Sequence, residues 1–242
     1  MPIDVESIER AVIAGVAPRA VEELPGWLLP LDRGEVNRAI SAVPLEHGAH
    51  APELLPKIME RYRAHALQPQ FRLADVLGLA QLQAALAAAG FAPGLPTFMQ
   101  LVDTSRIAES QPAVTLTSAE GTEWRSVFHA VAFTHGAAAE RAARLARVPS
   151  TLYATLRADG EAVAVGALTF AHGLACLHSM RTVEAQRGRG YGRSIVGALG
   201  QAARERGVEH VFLQVEESAD AARALYQKLG FKELWRYRYW KT

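Results

Sequence analysis

The sequence predicts a mixed α+β fold: a largely antiparallel central sheet flanked by helices, preceded by a partial N-terminal domain of similar build. Three observations predict it. Residues 151–158, 161–171 and 174–183 are β-rich runs broken at Asp159-Gly160, a two-residue hairpin signal, and at His172-Gly173, so they read as an antiparallel meander. After a glycine-rich loop the period changes, with Ile195, Val196, Leu199 and Ala203 at helical spacing up to Gly207, which ends the segment as a helix C-cap does. A strand–helix–strand unit then closes the chain.

In the first half, residues 27–31 and 36–45 read as strands, 53–66 as a helix, 70–73 as a strand, 79–89 as a helix and 96–102 as a strand. Residues 103–112, polar and ending in proline, form the candidate linker, which divides the chain into domains at 1–108 and 109–242. Two short helices, 123–133 and 137–148, precede the meander. The helix behind the glycine loop spans about four turns. Val211, Leu213 and Val215 alternate along a strand at 209–216, and Ser218 can cap the next helix, whose Ala222, Leu225, Tyr226 and Leu229 share one face. Gly230 ends that helix. The last strand, 231–240, puts Trp235, Tyr237 and Tyr239 on one side, as core or interdomain packing, and Arg236 and Arg238 on the other. Gly90-Phe91 and Gly230-Phe231 stand 140 residues apart and each follows a strand–helix pair, the mark of a duplicated β-α-β unit.

With 242 residues, 50% hydrophobic and 21% charged, the chain has the profile of a soluble globular protein able to bury a real core. A net charge of +1 gives no surplus for a nucleic-acid backbone, so any anion site must be local. One cysteine, Cys176, excludes an intrachain disulfide, and no Cys/His spacing suits a metal; His47 and His50 read as solvated loop residues. Acidic residues near the start and the lack of a long apolar run point to a cytoplasmic protein with no membrane partner.

The loop Arg187, Gly188, Arg189, Gly190, Tyr191, Gly192, Arg193 lies between a strand and a helix. Glycines let consecutive amides turn toward one anion, the helix N-terminus adds unpaired N–H groups, and the arginines add charge, so the loop suits a pyrophosphate. Neither the dinucleotide G-x-G-x-x-G spacing nor the P-loop G-K-[ST] tripeptide is present.

This run, with Leu225, Tyr226, Lys228, Gly230 and Phe231 after the next strand and helix, resembles the GNAT superfamily of N-acetyltransferases. Arg187, Gly190 and Gly192 match its [QR]-x-x-G-x-[GA] signature. The resemblance covers about residues 113–242, and the first half is similar to a degenerate copy of the same fold, as in tandem GNAT proteins. It implies transfer of an acetyl group from acetyl-CoA, without metal, to a primary amine on a small molecule or protein by direct attack. Main-chain groups around Met180, Thr182 and Val183 would contact pantetheine and the thioester carbonyl, and the amides of 188–193 the pyrophosphate. Tyr226 matches the tyrosine that protonates the departing thiolate. Where some relatives carry a glutamate this chain has Cys176, leaving His178 and Glu216 as candidate bases, and Ala219 replaces an asparagine that touches pantetheine. The alternative reading is an acyl-CoA-binding module without catalysis. The first half, whose stretch 46–52 has one glycine and no arginine, is expected to serve packing, acceptor recognition or homodimer formation.

Overall fold

A computed structural model describes residues 3–48, 52–108, 114–130 and 135–242. Helix α1 (Val5–Val16) begins at Asp4, whose side chain accepts from the Ser7 amide at 2.7 Å. Strands β1 (Ala20–Leu24), β2 (Trp27–Leu31) and the short β3 (Val43–Pro44) form a three-stranded sheet. Helix α2 (Leu55–Ala64), β4 (Phe71–Ala74), α3 (Ala80–Ala88) and β5 (Ala92–Asp103) follow. Strand β6 (Val114–Thr117) and helices α4 (Thr122–Ala130) and α5 (His135–Leu145) lead into the meander β7 (Leu152–Ala158), β8 (Glu161–Ala171) and β9 (Leu174–Thr182). Helix α6 (Tyr191–Glu205), β10 (His210–Glu216), α7 (Asp220–Lys228) and β11 (Lys232–Lys241) end the chain.

The meander and both of its turns are as the sequence predicts. Asp159 and Gly160 have φ of 51° and 83°, and His172 and Gly173 51° and 73°, the paired positive values that a type I′ hairpin needs. Two expectations fail. Residues 36–45 are not one strand: Asn37–Ala39 is a 3-10 turn, because Ser41 Oγ donates to the Asn37 carbonyl at 2.7 Å and Lys241 Nζ to its Oδ1 at 2.6 Å, bonds that compete with a ladder. Ser218 does not cap α7, which starts one residue later from Ala219 with no side-chain cap. Helix α1 and strands β1 and β6 are additions. Within the candidate linker, residues 104–106 form a 3-10 turn capped by Asp103. Residues 109–112 of that linker, 131–133 of one expected helix, and His50 lie outside the described residues.

The large sheet runs β4-β11-β5-β10-β9-β8-β7-β6, and every neighbouring pair is antiparallel except β9–β10. Strand β5 from the first half thus lies between β10 and β11 of the second, while β11 reaches over to β4. The exchange has a symmetric register. Lys232 faces Leu101 and Lys241 faces Ala92, partners that swap under the same 140-residue offset that separates the two Gly-Phe pairs. Thr97 faces Tyr237, its own counterpart at that offset, so this pair marks the centre of the exchange. Helices α3 and α7 begin and end at the same spacing.

One face of α6 buries Ile195, Val196, Leu199 and Ala203 against Leu152, Ala154, Ala164 and Leu177 of the meander. On the opposite face of the sheet, Ile8, Val12 and Ile13 of α1 pack with Met99, Cys176, Phe212, Tyr237 and Tyr239. A charge pair is sealed inside this second layer. Arg72 on β4 donates from Nη1 to Glu9 Oε1 at 3.1 Å and from Nη2 to Oε2, both residues 1% exposed, and its guanidinium sits 5.2 Å from the Tyr237 ring centroid. Burial alone would drain the arginine's charge, but Glu9 holds Arg72 above the ordinary arginine range. Removing one member leaves the other charged and unpaired in the interior, which costs about 3–5 kcal/mol. The expected outcome for Glu9→Leu is an unfolding free energy, read from urea titration, lowered by that amount, with a correspondingly lower midpoint. The double variant Glu9→Leu/Arg72→Met should recover most of it, and equal midpoints for Glu9→Leu and wild type would show that the pair does not anchor α1.

Candidate active site

Strands β9 and β10 pair only through Ala175–Val211, Cys176–Phe212 and Leu177–Leu213. Beyond Leu213, β10 keeps to β5 and β9 keeps to β8, so the two strands part and a fork opens. Its β9 side is bulged. Arg181 faces Val165 and His178 faces Ala167, so β9 has one residue more than β8 over this step, and Ser179 takes a φ of 55° within it. Such a bulge turns main-chain groups out of the ladder and into the fork. A cleft of about 910 Å³ fills the opening, lined by both strand ends, the glycine loop, α7 and the 3-10 turn of the first half.

At one end of the cleft lies the loop. Gly188 and Gly190 have φ of 78° and 81°, and open space stands where their Cβ atoms would be, so the backbone can be approached closely there. Gly190 precedes the first residue of α6, and its carbonyl accepts from the Ser194 amide at 3.1 Å. Gly192 acts differently, because a Cβ on it would come within 3.0 Å of the Leu225 side chain; its bare backbone lets α6 and α7 touch. Arg187, Tyr191 and Arg193 line the cleft with these glycines, as do Met180 and Thr182 of β9. Arg189 and Val183 are not part of the lining, and the Val183 amide donates to the Val163 carbonyl at 2.9 Å. A diphosphate fits this end on the chain's own terms: positive-φ glycines with nothing over them, a helix start and two arginines.

Tyr226 lines the middle of the cleft, 7% exposed, its ring 5.5 Å from that of Phe231. Burial pushes its phenol up to about 12, so it holds its proton at neutral pH. Cys176 is buried and likewise pushed up to about 12, which leaves a thiol with neither basic nor nucleophilic use. Among the described residues no cluster of His, Cys, Asp or Glu could hold a metal ion.

The far end is built by residues that no motif marks. Arg38 Nη1 donates to Gln214 Oε1 at 2.7 Å, and the Tyr237 hydroxyl donates to the same oxygen at 3.0 Å. Tyr239 stands beside Tyr237, so the aromatic stripe expected to serve packing alone also floors the cleft, while Trp235 packs instead on His47 with ring centroids 4.7 Å apart. Arg141 on α5 and Arg181 on β9 close this end. Burial, then the charge of Arg38, pulls Arg141 below the ordinary arginine range, and burial with Arg141 brings Arg181 down to about 10. The segment carrying Arg38 is fixed to α5 by Asp32, whose Oδ2 accepts from Arg144 Nη1 at 2.5 Å. The one cue in the sequence was Gln214, a lone amide in an apolar strand.

His178 and Glu216 both reach the cleft, on β9 and β10. The His178 ring is walled by Gly15 of α1, and its Nε2 shares a 3.0 Å hydrogen bond with Thr169 Oγ1. Burial, with Arg38 adding to it, pushes its pKa down to about 3, so it is a neutral hydrogen-bonding group and a feeble base. Between about pH 6.5 and 3 the unfolded chain takes up this proton and the folded chain does not, so stability should fall as pH drops through that window. Allowing for water at the cleft wall, the loss is about 1–2 kcal/mol at pH 5. Denaturant melts at pH 7 and 5 should show it for wild type and a smaller loss for His178→Gln; parallel losses would place the acid sensitivity elsewhere.

No curated protein matches the chain. Among solved structures, a GCN5-related N-acetyltransferase from Kribbella flavida superposes with a TM-score of 0.71 at 19% identity, over 99% of this chain and 96% of that one. Another from Sphaerobacter thermophilus gives 0.62 at 15% identity, over 100% and 93%. A tandem GNAT protein from the clavulanic acid biosynthesis pathway gives 0.62 at 14%, over 100% and 97%. The model of the family described as "Probable histone acetyltransferase Rv0428c C-terminal" matches residues 3–240. Fold and family agree, and the chain belongs to this acetyltransferase family, on a GNAT fold.

Proposed function

We propose that this protein is an N-acetyltransferase that moves the acetyl group of acetyl-CoA to a primary amine. The observation that carries the reading is one cleft that holds, in sequence, the glycine loop, the β9–β10 fork with its bulge, and Tyr226. The amides of 188–193, with Arg187 and Arg193, would hold the pyrophosphate, and the freed main-chain groups around Met180 and Thr182 would line the pantetheine and the thioester. The acceptor nitrogen attacks the thioester carbonyl, a C–N bond forms and the C–S bond breaks. The ammonium proton leaves by Glu216 and water, and the thiolate takes the Tyr226 proton, which solvent replaces. The high phenol pKa means that Tyr226 still carries its proton when the thiolate forms.

In this reading the two halves, 1–108 and 109–242, are a degenerate and a functional copy of one fold. The symmetric register of β5 on β11 supports it. At the 140-residue offset, Gly188 corresponds to Gly48, but the arginines at 187 and 189 correspond to His47 and Ala49. One cofactor site per chain is expected, and calorimetric titration giving two would contradict the division of roles.

Arg193→Glu reverses a charge on the first turn of α6 without straining the loop. Acetyl-CoA affinity should drop about 10–100-fold by calorimetry; an unchanged dissociation constant would move the pyrophosphate elsewhere. Tyr226→Phe keeps the ring against Phe231 and removes only the proton. Single-turnover rates at saturating acetyl-CoA should fall about 10²–10⁴-fold with little change in affinity. A variant as fast as wild type would make Tyr226 a packing residue.

A further inference from the structure

The far end of the cleft has more hydrogen-bond donors than acceptors. Gln214 Oε1 is shared by Arg38 and Tyr237, while Gln214 Nε2 and Arg38 Nε are both buried with no hydrogen-bond partner among the described residues. Buried donors of this kind cost free energy unless something accepts from them. The charges have the same sign. Arg38, Arg141 and Arg181 line this end against Glu35 and Glu216, an excess of one positive charge, and Arg144 is already engaged with Asp32 and Glu140. The Asp32–Arg144 contact and the Glu35 amide, which donates to Glu140 Oε2 at 3.1 Å, tie the segment bearing Arg38 to the helix bearing Arg141, so the two guanidiniums are brought together by the fold.

We infer that this end is a carboxylate-binding site, and that the acceptor is a small amine carrying a carboxylate, an amino acid or a close relative. The inference rests on the transferase reading and names its acceptor. The carboxylate would accept from Arg38, Arg141 and the Gln214 amide, with the amine directed back toward the fork. An excess of a single charge suits a monoanion better than a phosphate dianion. A lysine-rich protein tail would place further cations beside three arginines, a repulsive arrangement.

The test measures thiol release from acetyl-CoA with the common α-amino acids, their primary amides and a lysine-rich peptide, in parallel with calorimetric binding of acetyl-CoA. At least one amino acid should exceed its amide by about 10–100-fold in kcat/KM, the scale of hydrogen bonds to a charged group. In Arg141→Gln, and independently in Arg38→Gln, that preference should collapse toward one while calorimetry shows the cofactor still bound and the variant folded. Acetyl-CoA binding with amides used as well as acids, or with the basic peptide preferred, overturns the carboxylate site and leaves the transferase reading intact. Absence of acetyl-CoA binding overturns the transferase reading itself. If no acceptor is turned over, thermal shifts with coenzyme A plus N-acetyl amino acids or their amides decide: stabilisation by the acids alone supports the site, and equal effects overturn it.

Discussion

The Glu9–Arg72 pair is the contact on which the cleft's floor depends. It joins α1 to β4, and β4 reaches the sheet only through β11, so a charge sealed beneath the sheet holds both the first helix and the last strand in place. From Arg72 a polar path leads upward. Its guanidinium lies against the Tyr237 ring, the Tyr237 hydroxyl donates to Gln214, and Gln214 accepts from Arg38 at the cleft wall. Such a chain is tolerable inside a protein because each member is engaged by the next, and the interior makes each link electrostatically stronger than it would be in water. Through it the first half and the last strand are joined in one sheet.

The strand exchange has a second consequence. With β5 and β11 inserted beside it, β10 has a full antiparallel partner over Glu216 to His210, from Thr97 to Asp103. It can therefore give up β9 after Leu213 without leaving both of its edges open. On the other side the bulge at Ser179 lets β9 follow β8 while turning away. A parted pair of strands is an expense in backbone hydrogen bonds, and here each strand retains one edge partner while the other edge faces the cleft. The fork and the exchange belong to one arrangement of the sheet.

What could be read from the sequence was local. The I′ turns, the switch to helical period after residue 190 and the glycine loop each lie within about a dozen residues and are fixed by dihedral preference and periodicity. The far end of the cleft was not legible, for the opposite reason. Arg38, Arg141, Arg181 and Gln214 come from four separate elements, and only the packing of α5 on the Asp32 segment and of β5 beside β10 makes them neighbours. Residues 36–45 look like a strand because Val36, Ile40 and Val43 suit one; side-chain bonds to Asn37, made by Ser41 nearby and by Lys241 from the far end of the chain, decide otherwise. The glycines were read as one device and are two, since Gly192 serves helix contact and Gly188 and Gly190 serve the anion cradle.

The weak base and the crowded arginines bear on each other. His178, with its pKa near 3, cannot take a proton from an ammonium, and Glu216 stands close enough to Arg141 and Arg181 to interact with both charges. The same arginines, however, repel any cation that enters: Arg181 is itself brought down to about 10 by burial and by Arg141. An ammonium held between this end and the fork meets the same two penalties, desolvation and like charge, and both favour its neutral form. On the proposed reading, part of the work of deprotonation is therefore done by the cleft as a whole, and a carboxylate bound at Arg38 and Arg141 sets the limit on it by returning one negative charge. Binding that carboxylate through Arg38 and Arg141, while Arg181 keeps its bond to the Met180 carbonyl, separates the attraction that holds the acceptor from the repulsion that readies its nitrogen.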